Sequence, residues 1–332
     1  MTTRTLRLLG SGALAAALTL TGCASGSISG GADTGAGGSA SDSELRDVKI
    51  GLFPSSAVAA IQLGVNKGYF EEEGLNLEML LGQGSAAQLP SLSSGSLDFM
   101  LSSPTTPLVA TAQGLDLKIV SGYASNRPEM VEDSVAVMVG PNSDIHRAKD
   151  LEGKTVSINA LGSIGDIGIR EAVELDGGDP DKVTFVQLGF NEVGAQLESG
   201  QIQAGMVGPP FMQQITADGG AVISDFIQEA GLGGAELVIA SSGALVEQDP
   251  EVVESFISAL DKTLSYAEEH QDEVRDLLPE VLGTSPEMAA KTDFIAWNAH
   301  LDVDALKQFA DLMTKHGIVE TRPDLDATVW SK

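Results

Sequence analysis

Three short runs between Lys49 and Gly114 gather small, hydroxyl-bearing and proline residues: Pro54-Ser55-Ser56, Gly82-Gln83-Gly84-Ser85 and Ser102-Ser103-Pro104-Thr105-Thr106. Each follows an apolar stretch of strand length and precedes a helical pattern, so the segment alternates strand and helix. In an open α/β sheet the carboxyl ends of the strands are where small ligands bind. Hydroxyls and free N–H groups placed there offer uncharged hydrogen bonds, the chemistry of recognition rather than bond cleavage. The four histidines (His146, His270, His300, His316) fall in loops and helices away from those turns and are expected at the surface. None has a nucleophile or carboxylate at motif spacing. There is no HExxH, GxSxG or metal-ligand cluster in the sequence, so no catalytic residue, metal or cofactor is implied.

The elements that must position these turns come in two series. A strand over Leu117 to Tyr123 leads to a loop at Asn126-Arg127-Pro128 and a strand over Ser134 to Val139. Gly140-Pro141-Asn142-Ser143 then breaks the pattern. The second series runs from a strand at Thr155 to Ile158 through NALGSIGD into a helix over Ile167 to Leu175. Strands at Val183 to Gln187 and Ala204 to Val207 follow, the latter ending in Gly208-Pro209-Pro210-Phe211 and another helix. Glu236 to Ala240 is apolar enough for a strand returning to the first series. From Asp249 the pattern is helical: Val252, Val253, Phe256, Ile257, Leu260, Leu264 and Ala267 form one stripe, opened by Asp249 as cap and Pro250 in the first turn. Pro286 to His316 repeats the helical signal, with Gly317 as its stop. The expected architecture is α/β with two lobes, residues 48–139 plus 240–332 and residues 140–239. They are joined by strand-like crossings near Val139 and Ile239 that form a hinge.

The first 22 residues read as an export leader, with Arg4 and Arg7 before the apolar run Leu8 to Leu20. That run is shorter than the ~20 residues a membrane span needs. Leu20-Thr21-Gly22-Cys23 resembles a bacterial lipobox, in which the cysteine is lipidated and becomes the mature N-terminus. Cys23 is the only cysteine, leaving no disulfide, thiolate metal site or cysteine nucleophile. Residues 23–47 read as a flexible tether on the order of 25 Å long. The body of about 285 residues is long enough to bury a sizeable core. The formal charge of −28 becomes −30 once Arg4 and Arg7 leave with the leader. Such a surface repels nucleic acid and anionic headgroups.

Five phrases, in order, carry a family resemblance: KGYFEEEGLNLEM, SLSSGSLDFMLSSPTTPLVATAQG, LEGKTVSI, QLESGQIQAGMVGPPF and ADLMTKHGIV. Over about residues 48–320 the chain resembles the nitrate/sulfonate/taurine and thiamine-precursor substrate-binding proteins of bacterial ABC importers. The resemblance implies a type II periplasmic-binding-protein fold and a monomer leashed to the outer face of the cell membrane. It also implies delivery of a small ligand to a permease driven by a cytoplasmic ATPase. By position it puts the ligand among Phe53, Pro54, Ser55, Gly84, Ser85, Ser102, Ser103 and Thr105 of the first lobe. Gly162, Ser163, Asp166, Gly208, Pro209 and Phe211 face it from the second.

Helix starts at these turns suit a small oxyanion such as a sulfonate, nitrate or carboxylate, although each hydroxyl alone is also explained by helix capping. Asp166 favours a ligand with N–H groups, and its alternative role is a favourable charge at a helix N-terminus. Both features together fit a zwitterion or a neutral pyrimidine. Phe53, Phe211 and Phe190 are candidates to stack on a ring. Arg127 is read as an exposed loop arginine rather than an anion ligand, Arg170 as structural, and Trp297 as packing the helical tail on the first lobe. Two other classes compete. Thiamine-pyrimidine synthases resemble this outline but are cytosolic and use a cysteine-rich motif. A regulator would need a DNA-binding helix-turn-helix. The lone Cys23 and the leader favour a carrier.

Overall fold

The computed structural model describes residues 45–82, 84–127, 134–209 and 211–331. The leader, Cys23 and most of the tether lie outside the described residues, as do Gln83, Pro128 and Pro210. Val48, Ile50 and Leu52 alternate along the first strand and are all buried, which fixes its register toward the core. This strand, β1 (Arg46–Leu52), starts inside what read as tether.

Two sheets form. The first contains β1, β2 (Leu75–Leu81), β3 (Phe99–Ser102), β4 (Leu117–Ser125), β10 (Leu237–Ser242) and β11 (Ala296–Trp297), in the order β11-β4-β10-β3-β1-β2. The second contains β5 (Ala136–Val139), β6 (Thr155–Ile158), β7 (Thr184–Gln187), β8 (Ala204–Val207) and β9 (Ala221–Ser224), in the order β7-β6-β8-β5-β9. The strand expected to close the first lobe, over Ser134 to Val139, therefore belongs to the second sheet, where it pairs antiparallel with β8 and β9. Its residues are apolar throughout, and an apolar run does not name its partner.

One face of the first sheet packs on α1 (Ala57–Asn66) and α10 (Pro250–Glu269). The expected stripe on α10 is buried save for Ile257, which is partly buried; Phe256 stacks on Phe99 at 3.8 Å. Asp249 makes no side-chain cap there, and the helix starts on Pro250 instead. The helical run ends at His270, beyond which α11 (Gln271–Leu282) begins. The continuous helix expected over Pro286 to His316 is replaced by α12 (Pro286–Ala290), β11 and α13 (Val303–Lys315). Phe294, Ile295 and Trp297 are aromatic or β-branched and favour the extended form. Trp297 packs into the first-sheet core as expected, but from a strand on the edge of β4. Gly317 adopts φ 67° after α13 and stops it.

The tail makes a third link between the sheets. Asn298 and Trp330 donate their N–H groups to the carbonyls of Tyr123 and Ile119 on β4, at 2.9 Å each. Between these anchors α13 reaches α5 (Ile164–Leu175), which packs on the second sheet. There Lys315 Nζ lies 2.7 Å and His316 Nε2 2.8 Å from the same Glu171 oxygen. His316 is thus buried against a carboxylate and not at the surface. One buried cluster accordingly holds Ile119 and Val238 of the first sheet, Val156 and Ile158 of the second, and Leu306 and Phe309 of α13.

Burial pushes the Glu171 carboxyl up, but its bonds to Lys315 and His316 outweigh this and hold it below its ordinary value. A depressed folded value means that the stabilisation is complete above the unfolded pKa of about 4.3 and lost as pH falls through the folded value. Glu171→Gln should therefore cost about 1–2 kcal/mol at neutral pH, discounting the part-exposed Lys315. In urea titrations the gap between variant and parent should close in acid.

Candidate functional site

Topology brings the strand-end turns together. β1, β2 and β3 are parallel, and β10 runs antiparallel to both β3 and β4, so β4 has the sense of β1 to β3. Their carboxyl ends share one edge. In the second sheet β6, β7 and β8 are parallel, and β5 is antiparallel to β8 and to β9. The carboxyl ends of β6 to β9 thus share the edge at which β5 begins. Residues 126–135 run from the end of β4 to the start of β5, and residues 225–236 from the end of β9 to the start of β10. Both connections join the two carboxyl edges. They lie earlier in the chain than crossings centred on Val139 and Ile239, both of which sit inside strands.

On the first edge, Phe53, Pro54 and Ser55 follow β1. Phe53 is partly buried against the core, and Ser55 Oγ is buried without a protein partner. Gly84 precedes α3 (Ser85–Ser93), whose first residue shares a 2.9 Å hydrogen bond with Thr106 of α4 (Thr105–Ala112). Ser102, fully buried, donates to the Ser103 carbonyl at 2.7 Å, and the hydroxyls of Ser103 and Thr105 lie 3.2 Å apart. The turns after β2 and β3 are thus tied together by their own side chains.

The capping role open to these hydroxyls is not the one they play. No side chain caps α1, α3, α4 or α5, four of the helices that open at these edges, whereas Asp225 caps the short helix Phe226–Glu229 after β9. By contrast α9 (Gly243–Gln248), α12 and α13 are capped by Ser242, Ser285 and Asp302. α9 follows β10, whose carboxyl end is at the opposite edge of the sheet. α10 and α11 also lack side-chain caps, α10 beginning with a proline that has no N–H to satisfy. The N–H groups of Val58, Ala59 and Thr106 are taken by the carbonyls of Ser55, Ser56 and Ser103, and the first-turn N–H groups of α3 and α5 are those left for an oxygen or nitrogen acceptor.

On the second edge, Gly162 takes φ 72°, a conformation suited to glycine, and its N–H donates to Asp166 Oδ2 at 2.9 Å. The other oxygen of buried Asp166 accepts from Arg170 Nε at 2.8 Å. Both Asp166 oxygens are thus engaged within the loop, and its charge is offset one turn along the helix by Arg170, the structural role expected of that arginine. Ser163 donates to Asn159 Oδ1 at 2.9 Å. Gly208 packs so closely that an added Cβ would lie 2.9 Å from Val135 on the first crossover, which locks this turn to the connection. Pro209 is half-buried, and Phe211 packs on the second-sheet core together with Phe190. Arg127 is not a free loop arginine: its guanidinium donates to the Phe294 carbonyl at 2.9 Å and to Glu268 at 2.5 Å.

Two supporting residues escaped the sequence reading. Gln88, buried one turn into α3, donates to the carbonyls of Leu52 at 3.1 Å and Gly84 at 3.4 Å, tying the first two turns together. The i to i+3 spacing from Ser85 was its only signal. Tyr123, fully buried in β4, donates its hydroxyl to the Ala57 carbonyl at 2.5 Å and so pins the start of α1; burial pushes its pKa well above the ordinary tyrosine range. Nothing local in the sequence pairs residues 66 positions apart.

Comparison with known proteins confirms the architecture. The crystal structure of the periplasmic aliphatic sulphonate binding protein SsuA from Escherichia coli superimposes with a TM-score of 0.72, over 86% of this chain and 92% of that one, at 17% identity. The chain thus has a periplasmic-binding-protein fold. Residues 55–274 match the NMT1/THI5-like family, and the chain belongs to that family. The formylaminopyrimidine-binding protein of Halalkalibacterium halodurans is 29% identical over 243 residues, 71% of this chain and 70% of that protein. A 4-amino-5-hydroxymethyl-2-methylpyrimidine phosphate synthase of Saccharomyces cerevisiae, THI12, is 30% identical over 156 residues, 47% of this chain and 43% of the synthase.

Asp166→Ala removes the acceptor of the Gly162 N–H and the counter-charge of Arg170. A loss of about 1.5–3 kcal/mol in folding stability is expected, read as a lower denaturation midpoint at unchanged m-value.

Proposed function

We propose that the chain is the extracytoplasmic solute-binding component of an ABC importer, anchored by a lipid on Cys23. In this reading residues 48–135 and 237–332 make one lobe and residues 136–224 the other. The two crossovers act as the hinge, and ligand bound to both edges favours the closed form. A ligand preferring the closed state by about 10⁴-fold would shift the lobes from 1:99 to 99:1.

The observation that carries the reading is the set of helix starts, α1, α3, α4 and α5, left without side-chain caps at the two carboxyl edges that the crossovers join. The first-turn N–H groups of α3 and α5 and the buried Ser55 hydroxyl present donors without a fixed positive charge. Arg170 is paired with Asp166 and Arg127 with Glu268, so neither is poised as a counter-ion. Such a lining suits a neutral heteroaromatic ligand with ring-nitrogen or carbonyl acceptors better than a fully charged nitrate or sulfonate. Phe53 and Phe211 offer apolar ring contacts. The likeness to a formylaminopyrimidine-binding protein supports a pyrimidine-type thiamine precursor as cargo. The likeness to the yeast synthase covers less than half of either chain. The lone cysteine, Cys23 next to the leader, supports capture rather than chemistry.

Thermal-shift measurements against aminopyrimidines, flavins, taurine, alkanesulfonates and nitrate test the class of ligand. An aminopyrimidine at 100 times its Kd should stabilise the protein by about 2.7 kcal/mol, with no effect from nitrate or the sulfonates. Protection by the oxyanions alone would replace the pyrimidine reading with an oxyanion one.

Ser55→Ala separates site from scaffold. The hydroxyl has no partner in the protein, so its removal should leave folding stability unchanged or slightly higher. Calorimetry should nevertheless show ligand binding weakened about 5- to 10-fold.

A further inference from the structure

A second cavity lies on the other flank of the crossovers. In the order β11-β4-β10-β3-β1-β2, the turns after β1 and β3 sit on the β3 side of β4 and β10. The cavity, about 380 Å³, opens on the β11 side at the end of β4, and none of the described residues in the turns after β1, β2, β3, β6 and β8 lines it. Its walls come from every segment that links the sheets: Asn126 on the first crossover, Gln228 and Gly233 on the second, and Asn298 and Asp302 on the tail leading into α13.

Asn126 is 6% exposed. Its backbone N–H donates to the Gly233 carbonyl at 2.8 Å, and its side-chain Oδ1 accepts from Gln228 Nε2. Its Nδ2 is buried and meets no protein acceptor. Exchanging oxygen and nitrogen in both amides keeps the Asn126–Gln228 bond but leaves an oxygen unpaired in place of the nitrogen. Either way, one polar atom of a buried amide lacks a partner, at a cost of about 1–3 kcal/mol unless an occupant supplies it. A hydroxyl group, donor and acceptor at once, fits both arrangements.

The remaining walls narrow the class. Asp302 Oδ1 caps α13 through the Ala305 N–H at 2.9 Å, and Oδ2 lies 2.5 Å from where a Cβ on Gly234 would stand. That oxygen therefore sits at the glycine-lined wall, an acceptor for a hydroxyl proton. Asn298 Oδ1 accepts from the His300 N–H at 2.8 Å, leaving the amide nitrogen of Asn298 as a donor. Among the described residues no lysine or arginine lines the cavity, and the protein carries −28, so an anion is disfavoured. Among the same residues the His300 imidazole is the one aromatic ring in the lining.

We propose that this cavity is a binding site for a small neutral polyhydroxylated solute, a polyol or monosaccharide, distinct from the strand-end site. An occupant would touch both crossovers and the cap of α13 and so restrain their relative movement. That coupling, though not the site, rests on the hinge reading above.

The test is a ¹⁵N NMR titration of the whole protein with sorbitol and with glucose. Saturable shifts are expected in the Asn126 side-chain amide and the backbone amides of Gly231, Gly233 and Gly234, with none in Ser102 to Thr106. Asn126→Ala should weaken the effect about tenfold or more. Asp302→Asn keeps a good helix cap and should leave sorbitol binding within about fivefold. Absence of saturable shifts in the folded protein would overturn the proposal and leave the cavity to water. Shifts with methylammonium in place of the two polyols, abolished by Asp302→Asn, would overturn the assigned class. Either failure leaves the thermal-shift outcome for the strand-end site untouched, since that reads the opposite flank.

Discussion

Strand β10 enters the first sheet after the chain has travelled through the whole of the second, and it runs antiparallel between β3 and β4 with Val238, Ile239 and Ala240 fully buried. An interior strand must satisfy both rows of its backbone hydrogen bonds, so the sheet is incomplete until the chain returns. Because β10 runs against its neighbours, it starts at the edge where β3 and β4 end. That single reversal makes the connection from the second sheet arrive at the edge that carries the turns after β1, β2 and β3. The first connection leaves from the same edge, so both links join the two carboxyl edges.

The turns on the first edge are held in place by contacts from the surrounding scaffold. Tyr123 fixes the start of α1, Gln88 holds the ends of β1 and the Gly84 turn, and the Ser85–Thr106 bond joins α3 to α4. α1, α3 and α4 begin without a capping side chain, whereas α12 and α13 carry Ser and Asp caps. On the second edge Asp166 uses its charge to shape the Gly162 loop and to hold Arg170.

Particular elements show how far sequence reading reaches. β6, β8 and the α10 stripe were legible because short strand-length runs and the period-3.6 pattern are local properties of the chain. Ala136 to Val139 was legible as a strand but not as a member of the second sheet, since an all-apolar strand fits either core. FIAWNAH matched helical spacing, yet its aromatic and β-branched residues and the open edge of β4 drew it into β11. The structural role of Arg170 was legible from its place one turn into a helix, but not its pairing with Asp166, and Glu171 and His316 are 145 residues apart.

By itself the sequence determined the strand–helix alternation, the hydroxyl-rich character of the strand ends, the acidic surface and a family likeness sufficient to name the fold. These rest on local periodicity, composition and phrase order, all of which are present in one dimension. Long-range packing set which sheet β5 joins, where the crossovers lie, that Ser85 and Ser103 bond threonine hydroxyls instead of capping helices, and that Arg127, Arg170 and His316 are already paired. Each of those outcomes depends on which hydrogen-bonding group comes within about 3 Å of another, and that is settled by long-range packing, not by spacing along the chain.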